Sequence, residues 1–243
     1  MKIIKDIFYK EGQALDIYLP DSDSFNVFLY FHGGGLETGS KDSAKHFAPY
    51  LTERKIAVVS ADYIMYPKAK YPDFLTDSAE AVAWVMKNIG AYGKCEGLYI
   101  GGSSAGGYIS QMLCFDKKYL GAHGIKPTDI TGFIHDAGQP TCHFNVLRER
   151  GIDSRRVIVD ESCSLYHVGE DKEYPPMLII YSDSDMQNRP EQTVLLASTL
   201  KHFGHTENVT VKMMHGRHCQ YVAGKDENGV TVFGQMVYEY IDR

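Results

Sequence analysis

Leu98-Tyr99-Ile100-Gly101-Gly102-Ser103-Ser104-Ala105-Gly106-Gly107 is the stretch on which the reading of this chain turns. An apolar run enters it, and residues 105–115 leave it with a helical pattern, so the small residues lie at a strand-to-helix turn. The pattern G-x-S-x-G occurs there once, as Gly102, Ser104 and Gly106; centring it on Ser103 puts Ala105 where the second glycine belongs, and it fails. Small neighbours two residues to either side let the chain turn tightly and leave the hydroxyl exposed, which makes Ser104 a candidate nucleophile. A glycine-rich turn at a helix N-terminus also offers free amides to a phosphate. The spacing, however, is not G-x-G-x-x-G, and the lysine of a phosphate-binding P-loop is missing.

Working outward, residues 27–31 form a continuous apolar run that ends in His32-Gly33-Gly34-Gly35, as expected of a strand buried on both faces. Strand-like segments follow at 56–61, 98–102, 130–134, 177–181 and 209–214, with helix-like segments at 73–89, 105–115, 192–203 and 230–241 between and after them. In 73–89, Leu75, Ala79, Val82, Met86 and Ile89 fall on one helical stripe. Segments 3–9 and 14–19 alternate about Glu11-Gly12 and predict an antiparallel hairpin. The fold class is therefore α/β: a mostly parallel central sheet with helices on both faces, preceded by that hairpin. No repeat or linker divides the chain, which reads as one domain over 1–243. Residues 137–173 fit neither period and are expected to be a small insertion over the site.

The 243 residues are 44% hydrophobic and 23% charged with a net charge of −6, and no basic run occurs, which argues against a nucleic-acid partner. No apolar stretch approaches the roughly twenty residues of a membrane span. Charges at Lys2, Lys5, Asp6, Lys10 and Glu11 interrupt any signal-peptide core, so a cytoplasmic location is expected. The five cysteines contain no C-x-x-C pair, which fits a reducing compartment better than a disulfide scaffold or zinc site.

Consecutive glycines after His32 allow backbone amides to approach a reacting oxygen, and the amide of Ala105, next to Ser104, is a further donor. A serine nucleophile also needs a base and an acid. Asp183 and Asp185 follow segment 177–181, and His215 and His218 follow 209–214, all at strand C-terminal ends, where ligands of open α/β sheets bind. His202 with His205 and His215 with His218 have spacing that a metal could use, but no H-E-x-x-H pattern accompanies either pair. Neither a metal nor an organic cofactor is expected.

These residues resemble the α/β-hydrolase fold, in the esterase branch related to hormone-sensitive lipase, carbohydrate acetyl esterases and arylformamidases. The resemblance runs over nearly the whole chain. It rests on His32 to Gly35, on Asp62-Tyr63 followed by Tyr71-Pro72, on Asp77 and Trp84, on Gly102 to Gly107, on Ser164-Leu165 before Pro175-Pro176, and on the C-terminal acid and histidine. It implies a catalytic set of Ser104, Asp185 and His218, the acid preceding Pro190-Glu191-Gln192, with an oxyanion hole from Gly34, Gly35 and Ala105. The chain departs from the family run at Ile64, Met65 and Lys68, and at Glu37, where relatives often carry an aromatic residue.

The implied partner is a small-molecule ester, cleaved through an acyl-enzyme. The alternatives are an arylformamidase or other amide hydrolase, and a ligand-binding protein that keeps the fold without turnover. Segment 137–173 carries His143, Asn145, Arg148, Arg150, Arg155, Arg156, Asp160 and Glu161. These are expected either to roof the site, favouring short acyl groups on a polar alcohol such as an acetylated oligosaccharide, or to face solvent.

Overall fold

A computed structural model describes residues 1–169 and 173–243. Residues 170–172 of the expected insertion lie outside the described residues. The strands are β1 (Lys2–Lys10), β2 (Gln13–Leu19), β3 (Ser24–Phe31), β4 (Ile56–Ala61), β5 (Lys94–Ser103), β6 (Gly132–Asp136), β7 (Met177–Ser184) and β8 (Val209–Arg217). They form one sheet in the order β1-β2-β4-β3-β5-β6-β7-β8. β1 and β2 pair antiparallel, β2 joins β4 antiparallel, and every other pairing is parallel.

The helices are α1 (Ala48–Thr52), α2 (Asp73–Asn88), α3 (Ala105–Phe115), α4 (Lys117–Gly121), α5 (Phe144–Glu149), α6 (Arg189–His202) and α7 (Val232–Ile241). Strand alternation sorts them between the faces. Val27, Leu29 and Phe31 of β3 enter one apolar cluster with residues of α2, α3 and α6, including Val82, Ile109 and Leu196. Phe28 and Tyr30, pointing the other way, enter a second with residues of α1 and α7, including Leu51 and Phe233. The continuous apolar run in β3 thus reflects burial from both sides.

α6 starts at Arg189, three residues before the expected start, because Asn188 turns in the left-handed region at φ 66° and Pro190 occupies the first helical turn. The expected irregular segment contains α5 and a 3-10 turn at Ser164–His167. It also has a small core of its own, Cys142, Leu147 and Cys163. The short helices α1, α4 and α5 escaped the sequence reading because five or six residues cannot display a helical stripe. Among the described residues no helix is long and apolar enough to cross a membrane.

Candidate active site

Ser104 sits between β5 and α3 with φ 57° and ψ −112°, a conformation that costs a non-glycine residue about 1–3 kcal/mol. Its flanks explain the sequence pattern. A Cβ on Gly106 would lie 1.9 Å from the Phe31 carbonyl oxygen, and one on Gly102 would lie 2.5 Å from that of Gly106. Only glycine lets the start of α3 rest against the end of β3. The Ser104 amide donates to the Asp136 carbonyl at 2.8 Å, fixing the turn to β6.

His218 and Asp185 converge on this serine from the ends of β8 and β7. The His218 Nε2 to Ser104 Oγ distance is 2.8 Å, and His218 Nδ1 to Asp185 Oδ1 is 2.6 Å. The Asp185 side chain is fully buried, and its Oδ1 also accepts the Met186 amide at 2.6 Å. A carboxylate on Nδ1 holds the imidazole in the tautomer whose Nε2 lone pair faces the hydroxyl. The other two candidates pair with each other: His215 Nδ1 lies 2.6 Å from Asp183 Oδ2, on the surface and without contact to Ser104. Cys219, beside His218, is half-buried, and desolvation raises its thiol pKa well above the usual range, so it stays protonated.

Gly34 and Gly35 lie in the cavity wall beside Ser104. The carbonyls around them are tied back: Gly33 O accepts His32 Nδ1 at 2.7 Å, Gly34 O accepts the amides of Glu37 and Thr38 at 3.1 and 3.0 Å, and Gly35 O accepts Asn145 Nδ2. In a trans peptide the carbonyl and the following N–H point in opposite directions. Engaging the Gly33 and Gly34 carbonyls therefore turns the Gly34 and Gly35 amides the other way, and no hydrogen bond among the described residues uses either amide. Gly34 has φ 115°, and a Cβ there would lie 2.0 Å from Thr38 O. Ala105 is the first residue of α3, so its amide has no acceptor within the helix. The three expected oxyanion donors thus flank the serine with their amides uncommitted.

Sequence reading missed the supporting roles of three groups. Asn145, on α5, props Gly35, while its neighbours Arg148 and Glu149 bind Glu37 at 3.0 Å and the Tyr71 amide at 2.9 Å. Asp136, fully buried at the end of β6, accepts the hydroxyl of Tyr221, three residues beyond His218, and burial pushes its carboxyl up to about 6. Arg189 is buried in the first turn of α6. None has a local signal, because each acts on a partner distant in sequence.

The cavity at Ser104, about 510 Å³, is walled by Tyr30, Phe144, Met186 and Val222. Among the described residues, none of the insertion's charged side chains lines this cavity. Arg150 pairs with Asp160 at 2.8 Å and Arg155 with Asp153 at 2.6 Å. After β4, Tyr63 stacks on His32 at 4.5 Å, and the Tyr66 hydroxyl binds Glu149.

The family described as BD-FAE matches residues 15–126, the part of the chain that carries the glycine loop and the nucleophile turn. The kynurenine formamidase of Danio rerio is 34% identical over 105 residues, covering 42% of this chain and 35% of that protein. Carboxylesterase NlhH of Mycobacterium tuberculosis is 34% identical over 93 residues, covering 37% of this chain and 29% of that protein. The chain spans less than half the length of these curated relatives. Over 99% of the chain and 89% of its counterpart, the fold superposes with a TM-score of 0.75 on the thermophilic esterase Est2 of Thermogutta terrifontis, at 19% identity. That esterase has also been solved with propionate and with butyrate bound. The sheet order, the nucleophile turn and these likenesses together give the conclusion that this chain has the α/β-hydrolase fold and resembles the esterase and arylformamidase branch of it.

Proposed function

We propose that this protein is a serine carboxylic ester hydrolase for short acyl groups on a polar alcohol. The observation that carries the reading is the 2.8 Å contact between Ser104 Oγ and an imidazole whose other nitrogen is held by a buried carboxylate. Ser104 Oγ attacks the acyl carbon and its proton passes to His218 Nε2, while Asp185 supports the imidazolium. The amides of Gly34, Gly35 and Ala105 receive the tetrahedral oxyanion. Collapse expels the alcohol, which takes the proton from His218. Water then gives a proton to His218 as it attacks the acyl-enzyme, and collapse returns that proton to Ser104 Oγ and releases the acid.

The short-acyl assignment rests on the large side chains Tyr30, Phe144 and Met186 that bound the space beside Ser104. The propionate and butyrate held by the structural neighbour belong to the same class. Acetylated sugars are the polar-alcohol substrates to try first. A second reading, hydrolysis of aryl formamides, is favoured by the likeness to kynurenine formamidase.

Fluorophosphonate labelling followed by peptide mapping tests the chemistry, with an adduct on Ser104 expected. An unlabelled protein would point to a binder on a hydrolase fold. A panel of phenyl acetate, butyrate and octanoate beside acetylated xylo-oligosaccharides and a formanilide tests the substrate. Acetate is expected to have a higher kcat/KM than octanoate, and cleavage of the formanilide alone would replace the ester by the amide.

A further inference from the structure

Beyond Phe144 and Met186, which it shares with the cavity at Ser104, lies a second and larger hollow of about 890 Å³. Its wall includes Arg189, which is 6% exposed. The guanidinium donates to two neutral oxygens, the Ala137 carbonyl at 3.2 Å and Gln139 Oε1 at 3.1 Å. A guanidinium has five N–H donors, so three remain without a partner among the described residues. No carboxylate among them makes an ion pair with Arg189; Asp185 acts on it only from longer range. A cation buried this far without an ion pair is expensive unless an anion completes its surroundings.

The other charges of the hollow are Arg155, Arg156, Asp153 and Glu191. Asp153 is taken up by Arg155 through contacts as short as 2.6 Å. Arg156 makes no side-chain ion pair among the described residues, and Glu191 stands on α6 two residues beyond Arg189. Counting both carboxylates, the hollow keeps an excess of positive charge.

Its position gives that charge a use. Phe144 and Met186 border both spaces, so the hollow adjoins the cavity in which Ser104 Oγ and His218 Nε2 meet. We propose that this hollow is the leaving-group subsite and that it takes an anionic leaving group: an alcohol or phenol bearing a carboxylate, received by the Arg189 guanidinium with Arg156 at the rim. The planar fork of arginine matches a carboxylate through paired hydrogen bonds. This inference rests on the hydrolase reading and narrows it, adding a charge to the polar alcohol.

The test is the ratio of kcat/KM for 4-acetoxybenzoate to that for 4-acetoxybenzamide. The amide substituent withdraws electrons more strongly, so intrinsic reactivity runs against the expected order. The unsubstituted protein is expected to favour the carboxylate at least tenfold, with Arg189→Gln and Arg156→Gln each moving the ratio toward one and Arg189→Lys keeping part of it. If neither ester is cleaved, the hydrolase reading itself fails. Cleavage of both at a ratio near one overturns the anion subsite and leaves that reading standing. Equal slowing of both esters in Arg189→Gln would mean that Arg189 acts on Asp185 and not on the substrate, which also overturns the proposal. Should Arg189→Gln fail to fold by circular dichroism, the other two variants decide: an unchanged ratio in both overturns it.

Discussion

Two aspartate–histidine pairs bridge the ends of β7 and β8, and both close at 2.6 Å. Asp183 and His215 meet on the surface, where the histidine side chain is 85% exposed and the aspartate 35%. Asp185 and His218 meet at 0% and 21%. The distances are the same; what differs is what lies beyond the imidazole. His215 faces water, whereas His218 presents Nε2 to a serine held on a strained turn. Exposed ion pairs are screened and contribute little, while a buried carboxylate fixes both the orientation and the tautomer of its partner. An Asp–His contact therefore becomes a candidate for chemistry through its third partner.

The largest expected effect breaks that third contact. Ser104→Ala should lower kcat by about 10⁴–10⁶-fold with the fold intact by circular dichroism, because the remaining groups can only bind and polarise. Ser103→Ala should retain turnover. A reversed order in a steady-state ester assay would move the nucleophile to Ser103.

Next comes the comparison itself. Asp185→Asn should lower kcat by about 10³–10⁴-fold, since the neutral amide no longer supports the imidazolium or its tautomer. Asp183→Asn should change it by less than about threefold, as expected for an exposed pair. Equal effects would erase the distinction between the pairs.

Part of that distinction was legible in the sequence. The turn at Ser104 was readable because G-x-S-x-G registers a local steric fact, namely that α3 starts against the Phe31 carbonyl. β4 and α3 were expected at 56–61 and 105–115 and occupy those residues, because full burial and a full helical stripe are local patterns. The residues alone left Asp183 and Asp185, and His215 and His218, as open alternatives, since position along the chain does not report which side chain turns inward. Resemblance chose between them, and the geometry pairs the chosen two with Ser104. The polar insertion left roofing and solvent exposure open because charge in a sequence does not say what it pairs with: Arg155 and Asp153 satisfy each other, while Asn145 reaches the backbone of the glycine loop.

Asn145 supplies an intermediate effect. Asn145→Ala removes the donor that ties back the Gly35 carbonyl, letting the peptides of the glycine loop rotate. A fall in kcat of about tenfold with KM little changed is expected, the pattern of a group whose help is felt in the transition state. A rise in KM with kcat unchanged would show that Asn145 serves binding instead.

The smallest effects concern stability against pH, where the exposed pair and the buried groups separate again. Burial holds His135 and His143 neutral, pulling each down to about 3, whereas in the unfolded chain each takes a proton near 6.5. Their contribution is therefore complete above about pH 6.5 and is lost as the pH falls toward 3. Buried Asp136 runs the other way: raised to about 6 from an ordinary 3.8, it favours the folded state as the pH falls from 6 to 4. Between those limits the unfolded chain holds protons on both histidines that the folded chain lacks, and the folded chain holds one at Asp136 that the unfolded chain largely lacks. Burial holds His32 down as well, so the unfolded chain carries more protons than the folded one and stability falls as the pH drops through this range. Asp183 acts only below this window, because the Gly216 amide and His215 hold its carboxyl down to about 2. Its contribution is present above the ordinary 3.8 and disappears as the pH falls through about 2. Urea unfolding at pH 6, 5 and 4 should show the same slope in Asp183→Asn as in the unsubstituted protein, and a shallower one in His143→Gln. A slope altered by Asp183→Asn and untouched by His143→Gln would transfer the acid sensitivity to the exposed pair and overturn the assignment of the buried histidines.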